Sequence, residues 1–140
     1  MFGQDRDSLR RAYADAWRRH QDGLPLVDLQ QQRIVDVLRL HPEYQDFVLA
    51  PDALTQEFDG ADGRTNPYLH MGLHLAVREQ LATRLPPEAV QAHARLVKRL
   101  GDAHAAEHRL IDCLALELWQ AQRAGRAPDM DAYREALRGL

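Results

Sequence analysis

The chain has 140 residues, 45% hydrophobic and 28% charged, with a formal net charge of −3. That is too apolar for a disordered chain and long enough for one domain with a real core. Lys98 is the single lysine and the arginines are scattered among acids, so no basic face or tail marks a nucleic-acid binder.

Helical periodicity dominates and no strictly alternating β-branched run occurs, so no sheet is expected. The first helix is predicted from Asp7 to His20, with Leu9, Ala12, Tyr13, Ala16 and Trp17 on its apolar face and Gly23 and Pro25 as its stop. The second starts at Asp28, a plausible N-cap, and runs to His41. Ile34, Val37, Leu38 and His41 share one face, and Pro42 pushes the residue before it out of the helical region. Glu43 to Leu49 reads as a short helix, and Asp59-Gly60-Ala61-Asp62-Gly63 as a turn-rich loop.

Asn66-Pro67 then reads as an N-cap followed by proline at the first helical position, opening a helix to about Arg84. Pro86 and Pro87 break it, and Pro87 opens the next helix, which ends near Leu100. Gly101-Asp102 pairs a C′ glycine with a new N-cap. A long helix follows from Ala103 to about Ala124, closed by Gly125 and Pro128. The last helix runs from Asp129 to Arg138. Short connections imply antiparallel neighbours, so the expected architecture is all-α: one domain over residues 1–140, a bundle of about five to six helices.

Seven histidines are present, and their positions on the helices separate them. Taking about 100° per residue, Leu73, Val77 and Leu81 define one apolar face, with His70 near its centre and His74 at its edge. On the long helix Ile111, Ala115, Leu118 and Trp119 define the face, and His104 and His108 lie within it. Glu107 flanks His104, and Asp112 flanks His108. Two helices thus each carry His-x-x-x-His, a spacing that puts both imidazoles on one side of a helix and presents two nitrogens to one ion. Facing helices of bundles build metal sites in this way. His41 and Glu43 could add ligands from a third segment. Such nitrogens with carboxylate help suit Zn, Fe, Ni or Cu rather than Mg or Ca. A dinuclear site would draw its bridges from Glu43, Glu107 and Asp112.

A single His-x-x-x-His is common on helices, and histidines on apolar faces can be hydrogen-bonded core residues. Four of them on two helices call for a cation or a polar network to satisfy them, because burying unpartnered polar rings is costly. His20 reads as a solvated helix end and His93 as surface. Trp17 and Trp119 read as core, and Arg78 and Glu79 as an ion pair or a helix contact. Cys113, the only cysteine, excludes an intramolecular disulfide and a thiolate-rich zinc site. Met1 to Ser8 holds no apolar signal segment and no run of about 18 apolar residues exists, so no membrane partner and a cytoplasmic location are expected.

His41-Pro42-Glu43-Tyr44, Asn66-Pro67-Tyr68-Leu69-His70 with His74, and Arg78-Glu79-Gln80 form a combination that continues through Gly101-Asp102, His104, His108 and Trp119-Gln120-Ala121-Gln122. In these residues the chain resembles the bacterial domain-of-unknown-function family numbered 1841, over nearly its whole length. The resemblance implies a small stand-alone bacterial protein, brings no activity, and highlights Glu43, Asn66 and Glu79 beside the histidines.

The expected function is therefore metal binding by His70, His74, His104 and His108, with Glu107, His41 and Glu43 as further ligands or, for a carboxylate, as general base. A hydrolase using metal-bound water, an oxidoreductase, and a storage or delivery protein all fit that site. The substrate is unknown, and homodimerisation is left open. The alternative is an interaction module without metal, in which the histidines form a buried polar network. Haem between two inward histidines is a third reading, although paired i, i+4 histidines suit a naked ion better.

Overall fold

The computed structural model describes residues 2–55 and 66–140. These are all-helical: α1 (Phe2–Gln21), α2 (Leu29–Arg39), α3 (Pro42–Leu49), α4 (Pro67–Thr83), α5 (Pro87–Leu100), α6 (Ala103–Ala124) and α7 (Met130–Arg138). The all-α expectation holds, with seven helices among the described residues where five to six were expected. The predicted loop over 59–63 lies outside the described residues. None of the described helices is long and apolar enough to cross a membrane. The chain forms two compact units, Met1–Met71 and Gly72–Leu140.

In the first unit α1 packs on α2 and α3, and α2 packs on α3. Their shared core is Tyr13, Ala16 and Trp17 from α1, Ile34, Val37 and Leu38 from α2, and Val48 from α3. α1 starts earlier than predicted, since no proline or capping break precedes Asp7. Leu9, expected on the apolar face, is exposed. The α2 start is as read: Asp28 accepts a hydrogen bond from the Gln31 amide. The α2 end is not. His41 does not close α2; Leu40 caps that helix, and His41 is the N-cap residue of α3, with φ −130° and ψ 74°. Pro42 enforces that break, because it disfavours the helical conformation at His41. His41 is nevertheless buried, in line with its apolar neighbours. The start of α4 also belongs here. Asn66 Oδ1 accepts from the Tyr68 and Leu69 amides at 3.0 and 3.3 Å, the expected cap. Tyr68 packs against Tyr13 and Phe47, and the Arg10 guanidinium lies 4.6 Å from its ring centroid.

In the second unit Leu73 and Val77 of α4, Ala89, Ala92 and Leu96 of α5, Ala106, Leu110, Ile111 and Leu114 of α6, and Tyr133 and Leu137 of α7 form one hydrophobic core. α5 and α6 pack together, and α7 packs on both. The helix ends follow the sequence signals. Gly101 and Gly125 take φ of +72° and +67°, the left-handed region where glycine carries no steric penalty. Asp102 caps α6 through the His104 amide, and Asp129 caps α7. Cys113 is half-buried against the core.

Two buried glutamates tie α7 down. Glu88 at the start of α5 accepts from Arg134 Nε at 3.0 Å and lies 3.5 Å from Arg138 Nη2. Glu117 of α6 accepts from Arg126 Nη1 at 2.9 Å and from the Asp129 amide at 2.8 Å. These hydrogen bonds, from Arg134 and Arg126 first, hold both carboxyls below their ordinary 4.5. A lowered folded-state value contributes stability above the unfolded value, and that stability is lost as pH falls through the folded one. A Glu88→Gln/Glu117→Gln variant should therefore melt well below the parent at pH 7. The gap between the two should narrow as pH drops below about 4.5, where the carboxylates begin to protonate. Thermal melts of both proteins across pH 2.5–7 check this, and a gap independent of pH would refute it.

Candidate metal-ligating cluster

Within the second unit the cluster is built by α4 and α6. His74 projects from α4 next to Leu73 and Val77 and is fully buried. Glu107 and His104 come from the first turns of α6, one turn apart. His74 Nε2 lies 2.5 Å from Glu107 Oε2, and the ring N–H donates to that carboxylate. The same oxygen accepts from Arg78 Nε and Nη2, both at 3.3 Å. Burial by itself would raise the Glu107 carboxyl. The His74 hydrogen bond and the Arg78 charge outweigh it and hold the group below its ordinary 4.5.

One donor atom from each of His74, His104 and Glu107 lies within 4.8 Å of the other two, close enough for a single ion to collect them. The His108 ring adjoins them, with its centroid 4.2 Å from that of His104 and 5.4 Å from that of His74. The i, i+4 spacing on α6 thus does bring His104 and His108 together. Three nitrogen and oxygen donors of this kind match borderline first-row cations and leave positions for water.

The first unit holds the other pair. His41 Nε2 and His70 Nε2 are 3.2 Å apart. Tyr44 stacks on His41 at 5.3 Å and 9°, and meets the edge of His70 at 6.0 Å. His41 Nδ1 lies 2.8 Å from the Val37 carbonyl.

Several details depart from the sequence reading. His70, expected at the centre of the α4 face, is half-buried, whereas His74, expected at its edge, is fully buried. Trp119, expected in the core, is 53% exposed, with Arg123 over its ring. The reason is a rotated stripe: the buried face of α6 runs through Glu107, Leu110, Leu114, Glu117 and Ala121 rather than through Ala115 and Trp119. Arg78 pairs with Glu107, while Glu79 is exposed. Glu43 and Asp112 are exposed too, and neither belongs to a potential ligand group among the described residues. His93 is half-buried rather than on the surface. Arg78 is the site residue that the sequence reading missed. Its position four residues after His74, on the same side of α4, was the available signal.

Among the described residues the fold is all-helical and carries a His/Glu cluster with the spacing of a possible metal-ligand group. The chain belongs to the family described as domain of unknown function (DUF1841), whose family model matches residues 5–139. No curated protein and no solved structure matches it.

Proposed function

We propose that this is a metal-binding protein whose second unit holds a first-row transition-metal ion through His74, His104 and Glu107. His108 is the adjacent fourth candidate. The observation that carries the reading is the convergence of three donor atoms within 4.8 Å, on a carboxylate already ionised by its surroundings. Two imidazoles and one carboxylate are the donor set of water-activating zinc sites and of non-haem iron sites. Zinc would supply a bound water of lowered pKa for hydrolysis, and iron would supply redox chemistry. The identity of the ion decides between hydrolase and oxidoreductase. Single-cysteine usage and the absence of a basic face support a cytoplasmic protein without a nucleic-acid partner.

The test is elemental analysis of tag-free protein purified without chelator, beside His74→Gln and His104→Gln. The expected result is that each variant loses one equivalent of Zn, Fe, Ni or Cu relative to the parent. Unchanged metal content in both variants would overturn the reading.

One observation favours a second reading. The His74–Glu107–Arg78 chain is a hydrogen-bonded network in its own right. A protein that gains no thermal stability from any of the four ions, yet depends on Glu107 for folding, would be an interaction module with a buried polar network.

A further inference from the structure

Four residues on the solvent side of α6 form one stripe: Asp112, Leu116, Trp119 and Arg123. At about 100° per residue they fall within an arc of about 60°. They lie opposite the buried stripe that runs from Glu107 to Ala121. Leu116 is 52% and Trp119 53% exposed, and exposed Asp112 and Arg123 stand at the two ends. A leucine and a tryptophan side by side in solvent offer apolar area that a partner can remove from water. Neither end residue has a salt bridge among the described residues, and the Arg123 guanidinium rests 4.8 Å from the Trp119 ring centroid.

The order of these residues identifies the partner. Their spacing of four, three and four is the same in either direction. Reversal about the midpoint between Glu117 and Leu118 exchanges Asp112 with Arg123 and Leu116 with Trp119. A two-fold axis through that midpoint makes the same exchange between two copies of the helix, since an isologous contact pairs residue i with j and j with i. Two antiparallel α6 helices then set the carboxylate of each copy against the guanidinium of the other, with indole on leucine between. Parallel copies would set Asp112 against Asp112 and Arg123 against Arg123, which like-charge repulsion opposes. In the antiparallel pair Arg123 keeps its place on Trp119 while its outer edge meets the carboxylate. Tryptophan and arginine are also the side chains most enriched among those that carry interface energy.

We infer that this face of α6 is a homodimer interface, and that its occupant is α6 of a second copy of this chain, antiparallel about a two-fold axis. The stripe belongs to the second unit alone. Four side chains per copy cover less than the roughly 800 Å² per partner of a standard interface, so the dimer is weak and forms as concentration rises. It requires no bound ion and is independent of the metal reading.

The experiment is sedimentation equilibrium of the full chain from about 5 µM to about 1 mM, a range in which a weak dimer forms. Beside it run Asp112→Arg, Arg123→Asp, the variant carrying both changes, and an equimolar mixture of the two single variants. The parent should pass from monomer to dimer across the range. Each single variant places like charges at both ends of the contact and should dimerise at least about tenfold more weakly. The variant with both changes restores the two pairs with signs exchanged and keeps the net charge of −3, so it should dimerise as the parent does. The mixture should recover a dimer of one copy of each. Should a charge reversal lose helical signal in the far ultraviolet, Asp112→Asn or Arg123→Gln serves in its place, with weakening expected in the same direction. A parent that stays monomeric throughout overturns the inference. A dimer that neither single variant weakens uses another face and overturns it too. Failure of both the doubly changed variant and the mixture to recover the dimer overturns the antiparallel pairing, and the inference with it.

Discussion

Replacing Glu107 by alanine is expected to cost about 1–3 kcal/mol of stability, the penalty for stranding a buried hydrogen-bonding partner. Glu107 is 7% exposed and its Oε2 serves both His74 and Arg78. The substitution takes the acceptor from the His74 ring, which lies fully inside the protein. Arg78 adds less, since its side chain is 28% exposed and can turn toward water. Glu107→Gln keeps the size and one acceptor oxygen but removes the charge, so it should destabilise less than alanine does. Both variants should bind metal at least about tenfold more weakly, since even outer-shell partners of metal ligands are worth 10–100-fold. Urea unfolding and zinc titration separate the two effects. Parental zinc affinity in Glu107→Gln would remove the carboxylate from the ligand set.

The largest loss of stability should come from Leu110→Ala. Leu110 lies one turn beyond Glu107 on α6, is fully buried, and belongs to the core of the second unit. Truncation removes apolar contact and leaves a cavity in the core of the second unit, a change that costs about 2–5 kcal/mol. Because the packing is between helices, relaxation can close only part of that space. Denaturant melts would show the midpoint falling with little change in slope. A loss under about 1 kcal/mol, smaller than a typical Leu→Ala in a core, would mean that α6 does not pack as described.

The ends of the helices were legible in the sequence because caps and breakers act locally. Asp28, Asn66, Pro87, Gly101 and Asp102 each do in the structure what their side chains or backbones dispose them to do. The faces were less legible. A helical wheel finds the buried stripe by its apolar residues, and on α6 two of the five stripe positions are glutamates. With Glu107 and Glu117 discounted as polar, the apolar average swings toward Ala115, Leu118 and Trp119. The spacing 107, 110, 114, 117, 121 alternates three and four, so the stripe was present in the sequence, with carboxylates in it. Such positions need partners across the fold, and those partners are what a single helix does not display. Arg126 for Glu117 is nine residues away, and Arg78 for Glu107 is 29.

The same limit applies to the histidines. The spacing established that His70 and His74 share a side of α4, and that His104 and His108 share a side of α6. It did not establish that His70 meets His41 in the first unit while His74 meets Glu107 in the second. His41 was expected to finish α2, and its neighbour Pro42 instead made it the first residue of a new turn. That displacement is what directs its ring toward His70 and Tyr44.

The two tryptophans divide between the units and differ in surroundings: Trp17 is 5% exposed in the first, and Trp119 is 53% exposed in the second. An indole already bathed in solvent changes its emission little when the chain opens, whereas a buried one shifts to the red. The fluorescence of this protein is therefore chiefly an optical readout of the first unit, while circular dichroism at 222 nm sums the helices of both. Any ion that protects one unit alone would pull those two signals apart, and their coincidence or divergence is the measure of whether the chain melts as one body.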